Sequence, residues 1–240
     1  MIEHNVDQGS AAWHQLRARI PTASQFHRVI TPARLKASEA RWKYAVEIIA
    51  ARVLNWQPES LDKIEHIEAG KNKEPMAVSQ LEFTTGLQTR RVGFITTDDG
   101  RFGASPDRLT TPTGLTTIEV KCPTVPTHLQ YLLLGHDDAY VCQVQGQLWV
   151  AEADKAIFYS FHERMPPYLI ETVRDAAFIK SLADRLNQFH HEVAVLEDRA
   201  RSLGIYQAFQ EMLPPAEIAA SSITSEAEAS SELESWLELE

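Results

Sequence analysis

The segments around residues 107 and 119 contain the residue types needed to hydrolyse a phosphodiester. Asp107 follows Ser105 and Pro106 in a predicted turn, and a strand pattern begins eight residues later, at residue 115. Alternation with a period of two places Glu119 and Lys121 on one face of that strand and Ile118 and Val120 on the other. Asp107 is one hairpin arm away, so its carboxylate can lie beside that of Glu119.

Two carboxylates and a backbone carbonyl, such as that of Val120, form an oxygen site suited to Mg²⁺ or Mn²⁺. A lysine beside them, here Lys121, can orient or deprotonate a water molecule. Glutamate and lysine also alternate on solvated sheet faces as simple ion pairs. These residues alone therefore leave a nuclease site and a cross-strand ion pair open.

A second group of residues has the chemistry of an anion pocket. Arg17 offers a planar fork to phosphate oxygens, and Ser24 stands at a predicted helix start, where a hydroxyl and backbone N–H groups can face an anion. Ser105, just before Asp107, can complete such a pocket. The alternatives are a surface arginine and an ordinary helix cap.

Polar residues also recur along a predicted helix after residue 139. Tyr140, Gln143 and Gln147 have the spacing i, i+3 and i+7, which places them on one helical face, whereas Gln145 points elsewhere. An amphipathic helix without a catalytic role explains the same spacing.

Composition and charge restrict the class of protein. The chain has 240 residues, of which 44% are hydrophobic, and this excludes collagen-like, coiled-coil and wholly disordered chains. No apolar run approaches the roughly 18 residues of a membrane span, and the start of the chain lacks a signal-peptide pattern. Two cysteines do not supply a disulfide framework or a four-ligand zinc site. We expect a soluble intracellular protein.

The net charge of −10 hides an uneven distribution. Residues 211–240 contain eight glutamates and no lysine or arginine, whereas residues 1–45 contain seven basic residues against three acidic ones. A basic region is therefore available for a polyanion, unless it is merely a solvated helical face. We predict a main domain over residues 1–213 and an acidic tail over 214–240, which is either a solubilising end or a docking segment.

The predicted elements position these residues around a sheet. Helical patterns cover residues 10–19, 38–55, 74–87, 140–152 and 176–202, with a further start at 22–25. Short strand patterns cover 91–95, 102–104, 108–109, 115–120, 156–161 and 168–173. This order predicts an α/β (mixed α+β) fold with a central mixed sheet flanked by helices.

Several of these segments together resemble the lambda-type phage exonucleases, the viral-recombinase branch of the restriction-endonuclease-like D…ExK nucleases. The resemblance extends over about residues 10–161. The matching segments, in the family's order, are Ala12–Arg17 with Thr22–Ser24, Gly70–Glu74, Ser105–Asp107, Glu119–Pro123 and Tyr140–Gln145 running on to Trp149.

The resemblance implies a restriction-endonuclease-like fold and an Mg²⁺-dependent enzyme, with Mn²⁺ as a substitute. Such an enzyme digests one strand of linear duplex DNA from its 5′ end, processively, and leaves a 3′ single strand. It implies that Asp107 and Glu119 hold the metal with the Val120 carbonyl and that Lys121 orients or activates the water. Glu74 would lie beside the metal and water.

Further roles follow from the same resemblance. Gln143 and Tyr140 would lie at the active site. Arg17, Ser24 and Ser105 would bind the terminal 5′-phosphate. Ile67 would supply an apolar wedge that splits the terminal base pairs; the alternative is a core residue. Arg34 would track the duplex.

The resemblance also implies a ring-shaped homotrimer, a single-strand annealing protein as partner, and a phage or prophage protein in the cytoplasm of a bacterial host. Two other functions stay open: a structure- or site-specific endonuclease on the same fold, and a non-catalytic module that binds DNA ends. The intact set of Asp107, Glu119 and Lys121 argues against the second.

Overall fold

Residues 1–54, 65–111, 115–135 and 139–205 are described by the computed structural model, with only the backbone described for 65–72, 111 and 139. The predicted acidic tail and its boundary at residue 213 lie outside these ranges. The chain divides into two compact units, Met1–Ala194 and Val195–Glu240. Both larger sheets and the candidate site belong to the first unit.

Short strands and longer helices alternate along the chain. In chain order the elements are β1 (Ile2–His4), α1 (Ala11–Arg19), a 3₁₀ helix (Ala23–Arg28), β2 (Ile30–Thr31), β3 (Lys36–Ala37), α2 (Arg41–Leu54), α3 (Glu65–Thr85), β4 (Gln88–Arg91), β5 (Phe94–Thr96), β6 (Gly103–Ala104), β7 (Arg108–Thr111), β8 (Thr116–Lys121), α4 (Val125–Leu134), α5 (Ala139–Val150), β9 (Lys155–Ser160), β10 (Tyr168–Val173) and α6 (Ala176–Ser202).

Strand β8, which carries Glu119, is the middle strand of the main sheet. The order in this sheet is β10-β9-β8-β7-β4, and only the β8–β9 pair is parallel. A parallel pair needs a crossover connection, which α4 and α5 supply. The predicted mixed sheet flanked by helices is confirmed.

The two faces of β8 have different environments, as its alternation predicts. Ile118 and Val120 are buried in an apolar cluster with Ala77, Val78 and Leu81 of α3. Glu119 points away from that cluster. Burial of the apolar face against α3 therefore fixes the direction of Glu119 and Lys121 on the other face.

The prediction of a single strand over residues 91–95 is wrong, because two strands share this region. The region is divided into β4, in the main sheet, and β5, in a second sheet of order β1-β5-β6. Gly93 lies at the division, and a Cβ atom there would be 1.9 Å from the backbone oxygen of Val6. Close approach of the N-terminal backbone at this position requires glycine.

Two helix predictions also differ from the structure. Helix α3 begins at Glu65 instead of Glu74. Pro75 therefore lies inside the helix and not in its first turn, where proline is more common. Helix α4 was not predicted from the sequence; its Pro126 lies in the first turn, where proline is tolerated. Within the described ranges, no helix is both long and apolar enough to cross a membrane.

Helix α5 packs closely on the 3₁₀ helix because residue 146 has no side chain. A Cβ atom at Gly146 would lie 2.6 Å from Cδ2 of Phe26 and 3.3 Å from the Cβ of Ala23. Phe26 is fully buried, so its ring has little room to move. Gly146 therefore allows α5 and the 3₁₀ helix to lie together.

We predict that Gly146→Ala destabilises the protein, although alanine favours helix by about 1 kcal/mol over glycine. Overpacking against the Phe26 ring costs about 1–3 kcal/mol, which exceeds that gain. Urea denaturation measures the change in the free energy of unfolding. The double variant Gly146→Ala with Phe26→Leu should recover part of the loss relative to the sum of the single variants. A more stable Gly146→Ala protein would contradict the close packing.

Candidate active site

One cavity of about 230 Å³ brings the two groups of chemically active residues together. Its walls come from α1, the 3₁₀ helix, the loop before β7, β8 and α5. The lining residues are Gln8, Trp13, Arg17, Ala23, Ser24, Ser105, Asp107, Glu119, Lys121, Gln143 and Gln147.

The hairpin of β7 and β8 places Asp107 beside Glu119. Arg108 pairs with Ile118 across the hairpin, and so the residue before Arg108 faces the residue after Ile118. One oxygen of Asp107, Oδ2, accepts a hydrogen bond of 2.7 Å from the backbone N–H of Val120. The two carboxylates therefore share one end of the cavity.

Burial of two like charges perturbs their ionisation. Burial, and then the negative charge of Glu119, raise the pKa of Asp107 to about 8, against the opposing effects of Lys121 and the Val120 N–H. Burial disfavours the ammonium of Lys121, but the charges of Glu119 and Asp107 outweigh this and hold its pKa above the usual value. Lys121 forms an ion pair with Oε1 of Glu119. The site therefore disfavours ionisation of Asp107 beside Glu119, and the Lys121 ammonium is paired with Glu119.

These groups suit a hard divalent cation. Asp107 and Glu119 offer carboxylate oxygens, and a dication would relieve the repulsion that raises the pKa of Asp107. In the described part of the chain, no group of three or more His, Cys, Asp or Glu residues is arranged to hold a metal. A cation here would complete its shell with neutral oxygens, as Mg²⁺ does with carbonyls, water and phosphate.

The anion-pocket residues lie together and line the same cavity. Arg17 spreads its guanidinium between two hydroxyls, with Nη1 donating to Ser105 Oγ and Nη2 to Ser24 Oγ, each at 3.0 Å. Trp13 lies under the guanidinium at 4.2 Å, and its indole N–H is shared between Ser105 Oγ and the Gly93 carbonyl. Burial lowers the pKa of Arg17, although the charges of Glu119 and Asp107 oppose this.

The loop between the two groups is held by the N-terminal segment. Nε2 of Gln8 donates to the carbonyls of Val92, at 2.8 Å, and Pro106, at 3.0 Å. Pro106 separates Ser105 of the anion pocket from Asp107 of the carboxylate pair. Gln8 therefore restrains both ends of the cavity at once.

Three lining residues with hydrogen-bonding side chains were not recognised from the sequence as site residues. Gln147 donates from Nε2 to Glu119 Oε2 at 2.7 Å, and its place on the helical face of Gln143 was the available signal. Trp13 belongs to the segment that resembles the phage exonucleases, but its contact with Ser105 spans 92 residues. Gln8 lies before that segment and gave no signal.

Five predicted site residues do not line the cavity. One of them, Val120, contacts the site through its backbone N–H, which donates to Asp107. Glu74 is near enough for its charge to raise the pKa of Asp107, and the Tyr140 hydroxyl lies 3.3 Å from that of Tyr131. Arg34 is exposed in the turn between β2 and β3. Ile67 lies in α3, where its side chain is outside the described residues.

Sequence comparison assigns the chain to a family. The sequence model of the YqaJ-like viral recombinase domain matches residues 12–154, more than half of the chain. The chain belongs to the YqaJ-like viral recombinase family. The matched range includes every cavity residue except Gln8. A search of curated proteins found no match.

Solved structures share the fold of this viral recombinase domain. The alkaline exonuclease LHK-Exo from Laribacter hongkongensis is 26% identical with a TM-score of 0.71, over 82% of this chain and 98% of that chain. LHK-Exo in complex with dAMP aligns with 29% identity and the same TM-score, over 81% and 98%. A phage-related exonuclease from Haemophilus somnus shares the fold at 16% identity and a TM-score of 0.61, over 78% and 98%. The resemblance to lambda-type phage exonucleases is confirmed.

The start of the 3₁₀ helix that presents Ser24 is held from behind by Tyr44. The buried hydroxyl of Tyr44 accepts a hydrogen bond of 3.1 Å from the backbone N–H of Thr22. The Thr22 side chain makes no capping hydrogen bond to this helix, in contrast to the predicted capping role of a hydroxyl here. The backbone at Thr22 therefore depends on Tyr44 for its partner.

We predict that Tyr44→Phe lowers the free energy of unfolding by about 1–3 kcal/mol, because the buried N–H of Thr22 loses its acceptor. Tyr159→Phe is the matched control. The Tyr159 hydroxyl is buried and has no hydrogen-bond partner among the described residues, so its removal should cost nothing. Chemical denaturation of both variants provides the measurement, and equal losses would show that the Tyr44 hydroxyl contributes no more than its volume.

Proposed function

We propose that this protein is a metal-dependent exonuclease that digests linear double-stranded DNA processively from 5′ to 3′, releases 5′-mononucleotides and leaves a 3′ single strand. One observation carries the proposal. A single cavity contains a pair of buried carboxylates with a lysine, and also an arginine fork with two serine hydroxyls. The first group suits hydrolysis of a phosphodiester and the second suits recognition of a terminal phosphate.

Each residue of the hydrolytic group has a separate task in this proposal. Asp107, Glu119 and the Val120 carbonyl would hold Mg²⁺, for which Mn²⁺ can substitute. When bound, the cation would polarise the scissile phosphate and favour ionisation of a nucleophilic water. Lys121, held as an ammonium by the carboxylates, would orient the water and stabilise negative charge on the phosphate.

Ser105 is set to act as a hydrogen-bond donor in the anion pocket. Ser105 Oγ accepts from both Trp13 Nε1 and Arg17 Nη1, so both of its lone pairs are used. Its own hydrogen must then be donated to another acceptor, and Ser105 lines the cavity. A terminal phosphate carries more negative charge than an internal diester, and the pocket would favour it.

The solved relatives support the same class of reaction. LHK-Exo is an alkaline exonuclease, and its structure with dAMP contains a mononucleotide. Release of a mononucleotide requires hydrolysis one nucleotide from the chain end. A cavity that holds a terminal-phosphate pocket opposite the hydrolytic group fits that spacing requirement.

The proposal includes roles that depend on the family resemblance alone. Glu74, Gln143 and Tyr140 would support the hydrolytic group, Ile67 would separate the terminal base pairs, and Arg34 would follow the duplex. Processive digestion would be carried out by a closed homotrimer. The 3′ strand would pass to a single-strand annealing protein in the cytoplasm of a bacterial host that carries the phage or prophage.

We predict that the protein with Mg²⁺ digests a 5′-phosphorylated linear duplex and leaves a covalently closed circle intact. Lys121→Ala should lose at least ~10²-fold in rate, because the water loses its orienting group, while DNA-end binding persists. Lys180→Ala is the control, since it removes an ammonium that pairs with Asp184 far from the cavity. Time-resolved product lengths measure rate and processivity. Cutting of both substrates would indicate an endonuclease, and cutting of neither would indicate an end-binding module.

We also predict that Arg17→Ala abolishes the preference for a 5′-phosphate over a 5′-hydroxyl end and shortens digestion runs, while cleavage continues. Charge-assisted hydrogen bonds are worth roughly 1.5–3 kcal/mol, which corresponds to about ten- to a hundredfold preference. Arg19→Ala removes an arginine from the same helix that does not line the cavity, and it should keep the preference. If the wild-type protein treats both ends alike, the phosphate pocket lies elsewhere.

A further inference from the structure

Gln147 is a buried glutamine whose amide is only half satisfied. It is 2% exposed and lines the cavity on α5. Its Nε2 donates to Oε2 of Glu119 at 2.7 Å, whereas its Oε1 has no hydrogen-bond partner among the described residues. The amide cannot be reversed, because its oxygen would then face a carboxylate oxygen. The orientation of Gln147 is therefore set by Glu119.

A glutamine with this pattern is a poor choice for packing. A buried acceptor without a donor costs free energy, and methionine would fill a similar volume without that cost. The amide at this position consequently serves something other than the stability of the core. Its contact with Glu119 and its position on the cavity wall indicate what that is.

Gln145, on the same helix, shows what a structural glutamine looks like in this fold. It is 4% exposed and outside the cavity lining. Its Nε2 donates to the Val173 carbonyl and its Oε1 accepts from the backbone N–H of Asp175, both at 3.0 Å. Both ends of the Gln145 amide therefore bond the backbone at the end of β10 and just after it, and this attaches α5 to that segment.

The charge of the donor distinguishes the two partners of Glu119. Lys121 binds Oε1 and partly neutralises the carboxylate, whereas Gln147 binds Oε2 and is neutral. A neutral donor fixes the orientation of the carboxylate and leaves its negative charge available to a cation.

We propose that Gln147 is a positioning residue that holds Glu119 in the orientation in which it binds a divalent cation. This inference rests on the proposed metal-dependent function, because it assigns a role toward the metal ion in that reaction. Outer-shell partners of metal ligands typically contribute 10- to 100-fold to metal affinity. Gln147 should contribute an amount in that range without contacting the cation itself.

The test compares Gln147→Met with Gln145→Met in the full-length chain. Titration calorimetry with Mn²⁺ alone should show binding that is about 10- to 100-fold weaker in Gln147→Met and unchanged within about twofold in Gln145→Met. Thermal unfolding should show the opposite order, because Gln145→Met breaks two satisfied hydrogen bonds. Digestion of linear duplex by Gln147→Met should recover at Mn²⁺ concentrations raised by the same factor as the loss of affinity.

The outcomes separate this inference from the proposed function. If the wild-type protein binds Mn²⁺ and digests DNA while Gln147→Met keeps the wild-type affinity, the inference is overturned and the proposed function stands. Equal losses of affinity in both variants also overturn it, since they would reflect a general loosening of α5. If the wild-type protein neither binds Mn²⁺ nor digests DNA, the proposed function fails and the inference falls with it.

Discussion

The burial of two carboxylates side by side is the constraint around which the site is built. Desolvation and mutual repulsion disfavour two charges, which is why the pKa of Asp107 rises to about 8. Three groups packed against the pair reduce this cost: the Val120 N–H bonds Asp107, and Lys121 and Gln147 bond the two oxygens of Glu119. In the proposed function, a divalent cation would offset the remaining repulsion between the two carboxylates.

The parallel pairing of β8 and β9 supplies the remaining walls of the cavity. A parallel pair requires a crossover, and this crossover brings α5 to the polar face of β8 while α3 covers its apolar face. Gly146 then allows α5 to lie directly on the 3₁₀ helix that carries Ser24. One close helix contact thus joins the carboxylate group of the cavity to its arginine and serine group.

The two sides of the cavity have complementary charge, and this separation suits a DNA end. The guanidinium of Arg17 is placed by Trp13 and two serine hydroxyls at one side, and the carboxylates lie at the other. A strand end carries a terminal phosphate and, one nucleotide further on, the first phosphodiester. Recognition of the first by donors and hydrolysis of the second near carboxylates needs both groups in one cavity, with Gln8 restraining the loop between them.

The sequence by itself determined what depends on near neighbours in the chain. Alternation along β8 assigned Glu119 and Val120 to opposite faces, and the short hairpin allowed Asp107 to be paired with Glu119, because both relations involve few residues. The division of β4 from β5 at Gly93 was decided only by the tertiary structure, since it depends on the distant backbone of Val6. The contact of Gln147 with Glu119 spans 28 residues, and the contact of Arg17 with Ser105 spans 88. Such contacts carry no periodic signal, because the packing of helices on the sheet, and not local geometry, determines which distant side chains meet.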